Sequence, residues 1–200
     1  MAQRTAFKYR APTVYSVKLR LLEAAISTDV CADVLADLGT AVRRCAERIA
    51  RAPDNEGVVD VNCENVEGLL GAAYVTCQVK ITVVTSAALK LIASKKDFEV
   101  RAMGPRHDSH SKVEVLWALG NFFKHRDEWK RSDWDKPTGF ARHTIPVLKA
   151  IGLEDGSSGN LRTGAEVLGN STYAQMHVFS DIIDVWGQAV LDAAKAAIPA

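Results

Sequence analysis

The sequence has no surplus of charge of either sign: 25 lysines and arginines stand against 24 aspartates and glutamates. A dedicated nucleic-acid binder gains affinity by neutralising phosphates and carries a strong basic excess, so an extended nucleic-acid surface over the whole chain is excluded. Cysteine is sparse. Cys31, Cys45, Cys63 and Cys77 form no Cys-x-x-Cys and no Cys/His ligand spacing, which removes zinc ribbons and dithiol redox motifs and leaves buried thiols acting as small hydrophobes. Long hydrophobic runs are missing too. The most apolar region, 68–94, is interrupted by Lys80 and Lys90, and the first 18 residues hold basic side chains without an apolar core. Neither a membrane span nor a secretory signal is expected, and the expected location is cytoplasmic.

Several chemistries lack the spacing they need. There is no phosphate-loop Gly-x-x-x-x-Gly-Lys, no Gly-x-Gly-x-x-Gly, no His-Glu-x-x-His and no Gly-x-Ser-x-Gly. A di-iron bundle requires Glu-x-x-His, but Gly104, His107, Phe122, Phe140 and Ala174 stand three residues before the five histidines. No cofactor and no metal is expected. A looser possibility, that His107, Asp108, His110, His125 and His143 converge on a divalent ion, has no diagnostic spacing.

What is present is an ordinary globular composition, 48% apolar and 24% charged over 200 residues, enough for one domain with its own core. The neutral total hides segregation. Residues 1–20 carry five basic and no acidic side chains; 21–94 are acidic, ten against six; 95–143 are basic, eleven against eight, with four of the five histidines; 149–200 are acidic again. Helical periods fill nearly the whole chain. Residues 1–13 read as an extended arm closed by Pro12, and 14–200 as a single all-α bundle of six or seven helices. Thr28 or Asp29 caps the second helix, Asn62 or Asn65 a long one reaching Ser94, and Ser109 or Ser111 one from Lys112 to Trp129. Residues 79–85 are β-branched enough for a strand, yet sit between Ala-rich stretches without a pairing partner, and are assigned to helix. Residues 130–137 read as a connection, Thr138 opens a helix to Ile151, and further helices cover 161–168 and 171–198.

The run from Val113 to Trp129 is the most informative. At 100° per residue, Val115, Leu116, Leu119, Phe122 and Phe123 share an apolar face, while Glu114, Asn121, His125 and Glu128 form a polar stripe. Carboxylate, amide and imidazole point one way, and histidine is the side chain suited to exchanging protons near neutral pH. The same stripe also suits a solvated helix face. Trp117 borders it as a candidate binding aromatic.

Gly120-Asn121-Phe122-Phe123-Lys124-His125 resembles the Arg-Asn-x-x-x-His signature of the HEPN superfamily, helical-bundle proteins many of which are metal-independent ribonucleases in toxin and defence systems. The resemblance covers six residues and the all-α layout. It implies RNA binding or cleavage, with His125 in proton transfer, Asn121 and Glu114 as supporting polar groups, and Lys124, Arg126 and Trp117 as RNA contacts. Gly120 stands where the family's arginine belongs, and Arg106, Arg131 or Arg142 are alternative sources of that charge. The competing expectation is a non-enzymatic accessory or assembly protein, with a homo-oligomer among its possible states and Phe122, Phe123, Trp129 and Trp134 as packing or a partner surface. Whether the chain is an enzyme stays open at this level, as does an RNA or a protein partner.

Overall fold

The computed structural model describes residues 14–139 and 141–198; the proposed arm, 1–13, lies outside the described residues. Nine helices occur among the described residues: α1 (Val14–Ser27), α2 (Ala32–Arg51), α3 (Glu56–Leu89), α4 (Asp97–Arg101), α5 (Lys112–His125), α6 (Arg131–Asp135), α7 (Ala141–Ala150), α8 (Asn160–Val167) and α9 (His177–Ala196). Two-residue strands β1 (Arg106–His107) and β2 (His110–Ser111) make one hairpin. Seven of the helices run eight residues or more, and the architecture is the expected all-α bundle.

Capping explains the boundaries. Asn55, not Asn62 or Asn65, starts α3, its Oδ1 accepting the Val58 amide at 3.1 Å. Asn62 instead lies inside the helix, buried, with its amide donating to the Val58 carbonyl. The Asp29 carboxylate accepts the Cys31 and Ala32 amides, so it serves the start of α2 although Cys31 occupies the cap position. Residues 79–85 are helical and belong to α3, whose inward face there is Lys80, Ile81, Val84 and Thr85. Other boundaries move from expectation, beginning with α3, which ends at Leu89 rather than Ser94. α5 stops at His125 rather than Trp129, and the chain continues as a turn in which the His125 carbonyl accepts both the Glu128 and Trp129 amides. The connection 130–137 contains the single turn α6; α7 begins at Ala141; and α9 begins at His177 rather than Ser171.

The 34-residue α3 is the axis of the bundle. It is long and apolar enough to cross a membrane by length and composition alone, yet 56% of its most apolar window is buried against the rest of the fold. α2 and α5 cover most of it, with α1, α4, α8 and α9 contributing. Two glycines permit the closest approach. A Cβ on Gly71 would fall 2.0 Å from the Phe123 ring, and one on Gly120 would fall 2.6 Å from the Gln78 side-chain amide carbon, so α3 and α5 interlock with a side chain from each filling a gap in the other. Further along, Tyr74 is fully buried on Phe179 of α9, with its hydroxyl donating to the Leu161 carbonyl. Cys31, Cys45 and Cys77 are buried free thiols, as expected, and Cys63 is half-buried.

Candidate functional site

The α5 stripe faces a cleft. Its position follows from three local structures in the basic middle block. Gly104, at φ +82°, and Pro105 end the path of α4 and lead into the hairpin, where Asp108 takes a left-handed φ of 49° at the turn. Ser111 then caps α5 reciprocally: its Oγ accepts the Glu114 amide at 3.0 Å, and its own amide donates to Glu114 Oε2 at 2.7 Å. The Ser111 hydroxyl also donates to the Arg101 carbonyl, which fixes α4 to the start of α5. Finally α7 lies along α5, bridged by Asn121, whose Nδ2 donates to Thr144 Oγ1 at 3.3 Å.

The resulting cleft has a volume of about 810 Å³, within the usual range for small-molecule sites. Glu114, Trp117, Asn121, Lys124 and His125 form its α5 wall. The opposite wall comes from α7, with Arg142, His143, Pro146 and Val147, and one end from Asp97, Phe98 and Arg101 of α4 and His110 of the hairpin. Five of the six residues singled out from sequence therefore meet in one place. Arg126 does not join them: its guanidinium lies over the Phe123 ring at 5.7 Å and lines a separate depression rich in carboxylates.

Each side chain has a distinct commitment. His125 is 41% exposed, and its Nδ1 lies 3.2 Å from Glu128 Oε2. A carboxylate only accepts, so this contact places the proton on Nδ1 and leaves Nε2 for a ligand. Trp129 stacks on the ring, centroids 6.3 Å apart, held there by the turn that follows α5, in which its amide donates to the His125 carbonyl. Asn121 is held at both ends, its Oδ1 accepting Gln78 Nε2 at 3.0 Å, while Gln78 also donates to the Trp117 carbonyl. Glu114 serves the cap and stands 3.9 Å from His110. Both residues thus hold the walls in place, and His125 is the one of the three with a ring nitrogen turned outward.

Arg101 is 9% exposed, donates to Asp97 Oδ2 at 3.1 Å and lies 4.3 Å above the Trp117 ring. Partial burial pushes the Asp97 carboxyl upward, but the Arg101 hydrogen bond and charge, the Phe98 amide and His143 outweigh it and hold the group below its ordinary range. His143 stacks almost parallel on Phe98, centroids 5.6 Å apart, and its Nε2 is 3.1 Å from an Arg142 Nη.

Position 120 is closed to any side chain by Gln78, so no residue there reaches the cleft; the arginines that do come from α4 and α7. Arg142 was among the alternatives open to sequence reasoning. Arg101, Phe98 and His143 as cleft residues required the tertiary arrangement, whereas Glu128, three residues after His125, already shares its stripe. Among the described residues no group of three or more His, Cys, Asp or Glu is arranged to hold a metal ion; His107 contacts Asp108, while His110 and His143 lie in the cleft. The aromatic cluster is half interior: Phe122 and Trp134 are buried, packed edge to face with centroids 6.2 Å apart, while Phe123 and Trp129 are partly buried, Trp129 against Phe122. No protein-family model matches the chain, and neither a curated protein nor a solved structure matches it.

Proposed function

We propose that the cleft binds single-stranded RNA and that His125 cleaves it as an acid/base without a metal ion, in the manner the HEPN-like motif implies and in a toxin or defence setting. The observation that supports this reading is the state of His125. Its ring is oriented by Glu128 and Trp129, its Nε2 is directed away from that anchor, and the cleft it lines also holds Lys124 and Arg142 as cations and Phe98 and Trp117 as aromatic surface. Phosphodiester recognition calls for cations, bases call for stacking surface, and cleavage calls for a positioned proton carrier. A local cationic cleft also agrees with the near-neutral whole chain, since the basic residues concentrate in 95–143. The accessory-protein alternative has less support, because two of its four aromatics, Phe122 and Trp134, are packed inside and Phe123 and Trp129 are only partly exposed.

Cleavage of a single-stranded RNA in the presence of a chelator tests the proposal. His125→Ala is expected to slow it by about 10²–10⁴-fold while the circular dichroism spectrum stays that of the parent. A parent protein without cleavage, together with unchanged RNA affinity in His125→Ala, removes both the catalytic and the binding role.

A further inference from the structure

Cleaving RNA by attack of its own 2′-hydroxyl requires a proton acceptor at O2′, a proton donor at O5′ and a cation at the non-bridging phosphate oxygens. α5 brings one imidazole, and its position 120 is closed. We infer that Arg142 and His143 of α7 complete the site, Arg142 as the cation that takes the phosphate and His143 as the second proton carrier opposite His125; this rests on the RNA-cleaving reading above.

The other arginines are committed elsewhere. Arg101 is buried, bonded to Asp97 and stacked on Trp117, and Arg126 is on the far side of α5. Arg142 is exposed, and among the described residues no carboxylate lies within ion-pair range of it; it approaches His143 Nε2 at 3.1 Å. A guanidinium has only donors, so Nε2 is the acceptor and the His143 proton sits on Nδ1. A phosphate is a stronger acceptor than an imidazole and offers the planar guanidinium two oxygens at once. Transfer of Arg142 from the ring to an arriving phosphate therefore loads the cation and frees His143 Nε2 in one movement. Phe98 keeps the ring plane fixed throughout. The charged groups around His143 are Arg142 on its own helix and Asp97 on α4; around His125 they are Glu128 and Lys124, with Glu114 and His110 at the opposite end of the α5 wall.

The step balances. One imidazole takes the 2′-hydroxyl proton at Nε2 as O2′ bonds to phosphorus; the other, once its Nε2 has taken up a proton from solvent, gives that proton to O5′ as the P–O5′ bond breaks, and proton exchange with solvent then resets both rings. A 2′,3′-cyclic phosphate and a 5′-hydroxyl result, with no water, metal or redox partner consumed.

The experiment follows cleavage of a uridine-containing single-stranded RNA in chelator between about pH 5 and 8, with full-length parent, His125→Gln, His143→Gln and Arg142→Ala. It is repeated with uridine 3′-(4-nitrophenyl phosphate), whose aryloxide leaves without needing a proton. The parent is expected to give a bell-shaped kcat/KM profile. His143→Gln should lose one limb and about 10²-fold in rate, and Arg142→Ala should raise KM at least tenfold. Whichever histidine is the donor, its variant should recover on the aryl ester while the other does not. Both α7 positions are exposed, so the core is untouched, and His143→Asn is a second variant should His143→Gln unfold. A cleaving parent with an unchanged profile in both His143 variants, or with parental KM in Arg142→Ala, overturns this inference and leaves the RNA reading standing. A parent that cleaves nothing brings down both.

Discussion

Glycine inside a helix ordinarily weakens it by about 0.5–1 kcal/mol relative to alanine. At Gly120 the balance reverses, because the methyl group of alanine would stand 2.6 Å from the Gln78 amide carbon. Gln78 cannot retreat freely: its nitrogen holds the Trp117 carbonyl at 2.8 Å and Asn121 at 3.0 Å. Each such hydrogen bond contributes about 1 kcal/mol, and overpacking costs about 1–3, which together exceed the propensity gain. Gly120→Ala is therefore expected to lower stability by about 1–2 kcal/mol in urea unfolding. Gly120→Arg, which restores the HEPN-like pattern on paper, should be less stable still and should add no activity; a faster Gly120→Arg enzyme contradicts this placement of the helix. A second residue-scale effect is acid sensitivity at Asp97. Its pKa is lower folded than the ordinary 3.8, so its contribution is present above that value and is lost as pH falls through the lower, folded one. The side chain is 59% exposed, which limits the effect to about 0.3–0.5 kcal/mol. Urea midpoints of parent and Asp97→Asn should differ at pH 6 and converge toward pH 2.

At the scale of elements, the rotation of α5 was legible in its sequence. Glu114, Asn121 and His125 fall on one stripe by spacing alone, and Val115, Leu116 and Leu119 are buried as that spacing requires. The hairpin break at Gly104-Pro105 and the cap at Ser111 were equally local. Boundaries that depend on which of several competent residues wins were not. Asn55, Asn62 and Asn65 all have capping chemistry, and the choice of Asn55 follows from helix already formed around 62, where the side chain bonds to the carbonyl four residues back. The stop at His125 has no glycine or proline to announce it, and the turn that follows keeps an i→i−4 bond from Trp129, so the stretch reads as helix to Trp129. The same turn sets Glu128 and Trp129, three and four residues on, against His125. The cleft itself draws every lining residue from 97–147, one contiguous stretch that closes on itself, whereas the stacking of His143 on Phe98 needed α7 to be docked.

For the whole molecule, the connection between the axis and the last helix has an ionic component. Lys80 of α3, 3% exposed, puts Nζ 2.7 Å from Asp184 of α9, whose side chain is 55% exposed. Removing the partner from a buried charge costs about 3–5 kcal/mol, whereas replacing the buried ion by an apolar side chain of similar volume is often neutral. Asp184→Ala is thus expected near the low end of that range, since its carboxylate is half in water, and Lys80→Met close to the parent. The reverse order in thermal or urea unfolding contradicts the account.

The central place of α3 also sets an order of events during synthesis. Its 34 residues are complete at Leu89, when α1 and α2 are available to pack on it, but α5, α8 and α9 do not yet exist. At roughly 5–20 residues per second, the remaining chain takes on the order of 5–20 s to emerge from the ribosome. For that interval the side of the axis carrying Leu70, Tyr74 and Gln78 waits uncovered, and the nascent chain passes through a stage in which its future core is a surface.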